Sequence, residues 1–394
     1  MDSDFSIAAH WPGDFDEPGL QNWAEALRAK LRAPQVSLGL VFMAPRLFPH
    51  ASQILEILRV HARIPLLAGC SSQGLIAGNK ELEEDGGLVL GLYALPGAEL
   101  RALHFSQAQV EEAASPRSWA ERAGLSPGQT KGWLAFLDPF HLNCEAWLDG
   151  WNDAFSGQPV FGGLASGDFS ARKTQVYLNG EVFEEGGVAV SVGGGVGLVG
   201  ITSQGCTPIG ETWTLTKVEQ NVIHEIGNRP AYEVLAETVG HLTPEEQAEV
   251  RGNLFIGLVM NEYLEDFHRG DFLIRNLLAA DPRSGSLAVG ALPRLGQTVQ
   301  FQRRSAAAAT EDLEELLARV KTGLQTPILG GCLCSCNGRG RNLFGRPDHD
   351  AQEVQEQLGL FGLTGFFCNG EIGPVGKRSF LHGYTASLAL FVKS

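Results

Sequence analysis

The sequence predicts a mixed α/β protein made of two α/β halves whose sheets pack against each other in a layered αββα-like body. Two observations lead to this prediction. Apolar runs of strand length alternate with segments whose apolar residues recur at helical spacing. This mixture occurs twice along the chain, with a change of character near residues 221–231 and no low-complexity linker between the halves.

In the first half, residues 1–18 show little periodicity and are expected to form a lead-in loop. Apolar residues at helical spacing then predict a helix from Leu20 to Leu31 that ends before Pro34. An apolar strand at 36–42 and a helix at 51–61 follow. Asn179-Gly180 lies between two short apolar runs and predicts a type I′ hairpin, since both residues accept a positive φ.

The second half repeats the mixture of strands and helices. Its predicted helices lie at 231–239, 244–251, 310–321 and 349–358. Its predicted strands lie at 254–258, 272–277, 286–289, 328–335, 364–367 and 386–392. The expected division is therefore a lead-in loop and helix at 1–35, a first domain at 36–226 and a second domain at 227–394.

Composition excludes several classes of partner. The 394 residues carry a formal net charge of −15 and a pI near 5.1, which disfavours nucleic acid and anionic membranes because both are bound through Lys and Arg. No basic segment followed by an apolar one opens the sequence, so we expect no export signal and a cytoplasmic location. The seven cysteines are expected to be reduced thiols.

Two motifs resemble ligand sites but favour simpler interpretations. Residues 195–200 match G-x-G-x-x-G, yet no helix can follow them, so a tight connection between strands is expected instead of a nucleotide site. Cys332, Cys334 and Cys336 alternate along one strand, and neither His349 nor Cys368 supplies the second ligand pair that structural zinc requires. We expect core packing there, with a ligand-facing or reactive thiol as the alternative, and neither a metal nor a cofactor.

Four turns of small residues, each following an apolar strand, are the candidate ligand site. Gly and Ser at strand ends let backbone N–H groups approach a ligand closely. Ordinary tight turns are the alternative interpretation. The candidate ligand-binding residues are Gly69, Cys70, Ser71, Gly162, Gly163, Ser166, Cys336, Arg339, Asn369, Gly370 and Glu371. No catalytic residue is assigned.

These turns, in this order, resemble the FIST (F-box and intracellular signal transduction) family. The first half resembles the FIST N-terminal domain through Gly-Cys-Ser at 69–71, Gly-Gly-Leu-Ala-Ser at 162–166 and Val-Tyr-Leu-Asn-Gly at 176–180. The second half resembles the FIST C-terminal domain through residues 336–339 and 365–374. The family has Thr or Ser at the position of Cys368-Asn369. The resemblance implies a sensory module for signal transduction that binds small molecules such as amino acids, without implying a reaction.

Three functions stay open at this point. A sensor that binds an amino-acid-like ligand and acts on a downstream signalling protein is favoured, with Arg339 binding the ligand carboxylate and Glu371 the ammonium group. Arg339 and Glu371 pairing with each other is the alternative for these two residues. A protein-interaction scaffold is the second function. A thiol-dependent hydrolase or transferase, with Cys336 as nucleophile and His382 as base, is the third.

Overall fold

The computed structural model describes residues 4–84, 86–113 and 115–394, and it confirms the mixed α/β class with 28% helix and 40% strand. Its strands are β1 Ser6–Trp11, β2 Leu38–Met43, β3 Leu67–Ser71, β4 Leu75–Ala77, β5 Lys80–Leu82, β6 Leu88–Tyr93, β7 Ala98–Phe105, β8 Gly132–Leu137, β9 Val160–Leu164, β10 Val176–Leu178, β11 Glu181–Phe183, β12 Gly187–Gly194, β13 Val196–Ser203, β14 Cys206–Glu219, β15 Val222–Ile226, β16 Arg229–Pro230, β17 Leu254–Val259, β18 Phe272–Asp281, β19 Ser286–Val289, β20 Thr298–Arg304, β21 Ile328–Cys336, β22 Leu363–Cys368, β23 Glu371–Val375, β24 Arg378–His382 and β25 Ala386–Lys393. Its α-helices are α1 Glu17–Lys30, α2 Ala51–His61, α3 Gln107–Glu112, α4 Pro116–Ala123, α5 Cys144–Ala154, α6 Ala231–Gly240, α7 Pro244–Glu249, α8 Ala306–Gly323, α9 Arg341–Phe344 and α10 His349–Leu358.

The chain forms two compact units. Unit 1 contains the described residues up to Thr202 together with Glu314–Ser394, and unit 2 contains Ser203–Leu313. These units do not follow the predicted division at residues 226 and 227, because strands from both ends of the chain share the sheets of unit 1. The predicted bounds of the two sequence domains, 36–226 and 227–394, stay a prediction.

Unit 1 contains one supersecondary motif three times. In the first repeat (β1–β6), β2 and β3 are parallel and joined through α2, and β6 returns antiparallel to β2. In the second repeat (β7–β12), β8, β9 and β12 have the same arrangement. In the third repeat (β13 and β21–β25), β21, β22 and β25 have it again. Unit 2 is inserted within the third repeat, between β13 and β21.

Each repeat gives a hairpin to the sheet of another repeat. The hairpin β4–β5 pairs with β22, the hairpin β10–β11 pairs with β3, and the hairpin β23–β24 pairs with β9. The exchange therefore runs around a closed ring of three, and each six-stranded sheet has the same strand order. No repeat completes its sheet alone, so we expect the three repeats to fold as one cooperative unit.

The main core of unit 1 lies among its three sheets. It collects buried side chains from every repeat, among them Phe42, Phe136, Val190, Phe366 and Phe391. The sequence predicted two packed sheets where unit 1 has three, because periodicity reveals strands but not which strands pair. Helices α1 and α2 cover the outer face of the first sheet, and α4 and α5 cover that of the second.

Unit 2 is a seven-stranded antiparallel sheet with α6 and α7. Its strand order is β14-β20-β17-β18-β19-β15-β16, and the long strand β14 also pairs with β15. The sheet therefore closes on itself. Its own core contains Ile209, Leu215, Leu235, Ile256 and Phe301, all buried.

Several predictions of individual elements are confirmed, and one is wrong in part. Helices α2 and α10 have the predicted bounds, and the hairpin at Asn179-Gly180 has φ values of 51° and 96°. The predicted lead-in loop is wrong in part, because β1 lies within it and pairs with β6, a partner some eighty residues away that local periodicity does not show. No helix among the described residues is long and apolar enough to cross a membrane.

Candidate functional site

Three of the four small-residue turns lie at the ends of β3, β9 and β22, the later strand of each parallel pair, and the fourth, at 336–339, follows β21. Glycines in β3, β9 and β22 have a structural cause. Gly69, Gly162 and Gly365 occupy the same register position, each opposite a residue of the parallel neighbouring strand. A Cβ atom at these positions would lie 1.7, 1.9 and 1.9 Å from a carbonyl oxygen of that neighbour. The close approach of the two strands therefore requires glycine at positions 69 and 162. This structural role agrees with the alternative interpretation of these residues as parts of ordinary tight turns.

Hydrogen bonds tie the three turns together. The Ser71 hydroxyl donates to the Ser166 carbonyl oxygen at 2.9 Å, and the Ser166 hydroxyl donates to the Phe367 carbonyl oxygen at 2.7 Å. The Asn369 amide donates to the Ala165 carbonyl oxygen at 3.1 Å. The predicted turns do lie together, but their two serines are buried and bound to backbone.

Two more candidate residues of the first two turns are also buried. Cys70 belongs to the main core of unit 1. Gly163 lies against Cys368, since a Cβ atom there would be 3.0 Å from the Cys368 sulfur. A ligand reaching this region from solvent therefore meets the third repeat first, where Cys336, Asn337 and Asn369 are half-buried.

Cys336 ends β21 and is the one half-buried thiol of the chain, whose other six cysteines are buried. Its sulfur accepts the backbone N–H groups of Gly338 at 3.4 Å and Tyr384 at 3.3 Å. Tyr384 has a φ of 60°, a left-handed conformation that is costly for a large side chain and recurs at functional sites. N–H donors directed at a thiol sulfur stabilise the thiolate.

Glu371 begins β23 and is fully buried beneath Cys336. Its Oε2 accepts the Thr385 N–H at 2.9 Å, its Oε1 accepts the Cys368 thiol at 3.3 Å, and it is hydrogen-bonded to the Cys336 side chain. Burial raises the pKa of Glu371 to about 8. The carboxyl group therefore holds a proton through most of the neutral range, and an approaching cation would favour its ionised form.

The other two repeats show that the fold does not need this carboxyl group. The exchanged hairpins have Leu75 and Val176 at the register position that Glu371 occupies in the third hairpin. Both are fully buried in the main core. A buried polar group costs free energy that an apolar one does not. Glu371 is thus a special feature of the third repeat, of the kind that marks functional sites.

Arg339 does not have either predicted role. It is fully buried, and its guanidinium binds Asp350 in a bidentate manner, with Nε–Oδ2 of 2.7 Å and Nη2–Oδ1 of 2.8 Å. Burial would raise the pKa of Asp350, but the Arg339 charge and hydrogen bonds from Arg339 and His349 hold it well below its usual range. The donors expected to bind a ligand carboxylate are therefore used by Asp350, and Glu371 is not the ion-pair partner.

A second buried carboxyl group beside this ion pair was missed by the sequence analysis. Glu81 comes from β5, the hairpin given by the first repeat, and its Oε1 accepts the Ala351 N–H at 3.0 Å. Burial and the nearby Asp350 raise the pKa of Glu81 to about 8. No sequence signal pairs Glu81 with Asp350, since the exchange of hairpins brings them together.

His382 is the cross-strand partner of Glu371 in the hairpin β23–β24, and its pairing with Cys336 as a catalytic base stays a prediction. The His382 Nε2 atom lies 3.0 Å from the Gly373 carbonyl oxygen, in a buried position. The titratable groups hydrogen-bonded to Glu371 are the thiols Cys336 and Cys368. The site therefore offers solvent one thiol and the side chains of Asn337 and Asn369, which are joined by a 2.7 Å hydrogen bond, above a buried neutral carboxyl group.

Comparison with known proteins gives matches over most of the chain. The family model of the FIST N domain matches residues 37–229, and that of the FIST C domain matches residues 231–374. An uncharacterized protein of Mycobacterium tuberculosis is 39% identical over 348 residues, which cover 87% of this chain and 88% of that protein. An uncharacterized protein of Mycobacterium bovis is 38% identical over 330 residues, which cover 83% of each.

Two solved structures that the comparison matches to this chain are cyanuric acid hydrolases. One is 10% identical with a TM-score of 0.37, covering 99% of this chain and 98% of that one. Another, from A. caulinodans, is 9% identical with a TM-score of 0.39, covering 98% of this chain and 99% of that one. Similarity of this size carries no information about activity.

Proposed function

Because this chain belongs to the family defined by the FIST N and FIST C domains, we propose that it is a sensory protein that binds a small polar metabolite at Cys336, Asn369 and Glu371. FIST domains are sensory domains of signal transduction. For this chain, we propose the position of the ligand site, the class of ligand and a downstream signalling partner in the cytoplasm.

The position of Glu371 is the observation that carries this proposal. The carboxyl group lies fully buried where the same fold has leucine and valine in its other two repeats. Its neighbours Cys336 and Asn369 are half-buried, so a ligand bound from solvent would contact the thiol and the amide above the acid. Neutral polar groups over a titratable carboxyl group suit a small molecule with several hydrogen-bonding atoms.

An amino acid is the ligand class that this chemistry favours. Its ammonium group would bind the ionised form of Glu371, as the sequence analysis predicted for that residue. Arg339 is held by Asp350, so the ligand carboxylate would have to meet N–H donors of the surrounding turns. Since the pKa of Glu371 is about 8, ammonium binding must displace its proton at neutral pH. Affinity should therefore rise as the pH rises towards 8.

Thermal unfolding with each of the twenty amino acids tests the proposal. At least one should raise the midpoint, since a ligand at about 100 times its Kd stabilises the folded state by about 2.7 kcal/mol. The shift should be larger at pH 8 than at pH 6.5 and should be lost in Asn369→Ala and Glu371→Gln. The exposed Glu56 supplies the matched control Glu56→Gln, which should retain it. No shift with any amino acid, or an equal shift in all variants, would contradict the proposal.

A further inference from the structure

We propose that Cys336 and Cys368 are an oxidant-reactive thiol pair, in which a hydroperoxide oxidises Cys336 and Cys368 converts the product to a disulfide. The proposal stands on register, burial and hydrogen bonds of the third repeat. It does not depend on the ligand proposed above.

Register places the two thiols side by side. Cys336 and Cys368 are direct partners in the parallel strands β21 and β22. Neighbouring strands lie about 4.7–4.9 Å apart, within the Cα separation of about 4.4–6.8 Å that disulfides accept. Both thiols are hydrogen-bonded to the Glu371 carboxyl group, so both point to the same place.

Among the strand pairs of the described residues, no other pair sets two cysteines opposite each other. In the same two strands, Cys332 is paired with Thr364 and Cys334 with Phe366. Cys70 is paired with Val176 of the exchanged hairpin. Cys332 and Cys334 are hydrogen-bonded to each other, but both are buried, whereas the pair of Cys336 and Cys368 includes a half-buried thiol.

Cys336 has the properties of an attacking cysteine, and Cys368 has those of a resolving cysteine. Cys336 is half-buried, and the N–H groups of Gly338 and Tyr384 at its sulfur stabilise a thiolate. Glu371 can accept the Cys336 proton when it is ionised. Cys368 is fully buried, and burial raises the pKa of its thiol, so it is inert towards an oxidant in solution but adjacent to an oxidised Cys336.

The two steps balance in atoms and electrons. The Cys336 thiolate attacks one peroxide oxygen, the O–O bond breaks, and the leaving oxygen takes up a proton to give water or an alcohol. Cys336 becomes a sulfenic acid, a two-electron oxidation. The Cys368 sulfur then attacks the Cys336 sulfur, the S–O bond breaks, and the hydroxyl group leaves as water with the Cys368 proton. A dithiol reductant restores both thiols.

Substitutions at Cys368 should preserve the fold, because the other two repeats have small residues at the equivalent position. Cys368 lies one residue beyond Phe367, whose register position is held by Ser71 in the first repeat and Leu164 in the second, so its equivalents are Ser72 and Ala165. Cys368→Ser and Cys368→Ala are therefore matched variants. The buried Cys144, in α5, provides the control variant Cys144→Ser.

Hydrogen peroxide added to the full chain, followed by peptide mass spectrometry, tests the pair. The wild type and Cys144→Ser should form one disulfide between Cys336 and Cys368 that dithiothreitol reverses. Cys368→Ser and Cys368→Ala should instead accumulate a sulfenic acid at Cys336, which dimedone labels, and Cys336→Ser should form no disulfide. Dimedone labelling of Cys336 that is equal in the wild type and in the Cys368 variants, or a disulfide to another cysteine, would overturn the proposal.

The result is independent of the ligand test. If no amino acid stabilises the protein but the disulfide forms, the thiol pair stands and the ligand proposal fails. If both hold, oxidation removes both thiols from Glu371 and should also weaken the amino-acid-induced rise in the unfolding midpoint. That last effect rests on the proposed function.

Discussion

Asp350→Asn is expected to lower the free energy of unfolding of unit 1 by about 3–5 kcal/mol, because it leaves the Arg339 guanidinium buried without its counter-charge. Both groups are almost fully excluded from solvent, at 0% and 1% exposure, and the pair is bidentate. The Ser335 hydroxyl, which donates to Asp350 at 2.9 Å, adds to the loss. Urea unfolding followed by tryptophan fluorescence measures the change.

An exposed ion pair provides the control for this substitution. Arg117 and Glu121 are paired at 2.7 Å on the surface of α4, and Arg117→Ala should change stability by less than about 1 kcal/mol. Because Arg339 is completely buried, Arg339→Ala should destabilise the fold as well. Wild-type stability of Asp350→Asn would refute the role given to the pair.

Gly365→Ala is expected to destabilise unit 1 by about 3 kcal/mol or more. Its Cβ atom would lie 1.9 Å from the Leu333 carbonyl oxygen, a backbone atom that cannot move without separating β21 from β22. Because the three repeats share this register, Gly69→Ala and Gly162→Ala should have similar effects.

Gly128→Ala is the control for steric crowding, since nothing lies within 4 Å of a Cβ atom at that position. It should leave the unfolding midpoint unchanged or slightly raised. Gly365→Ala with the midpoint of the wild type would mean that the two strands are less closely packed than the threefold arrangement requires.

Local pattern was sufficient to predict much of the secondary structure but not the threefold arrangement. Helix α2 was predicted within its bounds because Ile54, Leu55 and Leu58 recur at helical spacing. The three repeats share little more than a glycine at one register position and the strand order, which appear only once the strands are paired. Strand β1 was missed for the same reason, since its partner β6 lies far away in sequence.

The sequence predicted the part of the candidate site that lies at the ends of two neighbouring strands. Cys336 ends β21 and Asn369 follows the adjacent parallel strand β22, and a hydrogen bond from Asn337 to Asn369 joins the two strand ends. The predicted partner of Arg339 was wrong because the guanidinium charge acts on three buried acids, Glu81, Asp350 and Glu371, and only the fold shows which of them it binds. Glu81 could not be predicted because an exchanged hairpin carries it there.

The rate of Cys336 alkylation tests the ligand site most directly. Cys336 is the one half-buried cysteine, so iodoacetamide should modify it first in the folded protein. The amino acid that stabilises the protein most should slow that reaction about tenfold at ten times its Kd, since the free site then falls to about a tenth. An amino acid that raises the unfolding midpoint while the alkylation rate at Cys336 stays unchanged would contradict a ligand site at Cys336, Asn369 and Glu371.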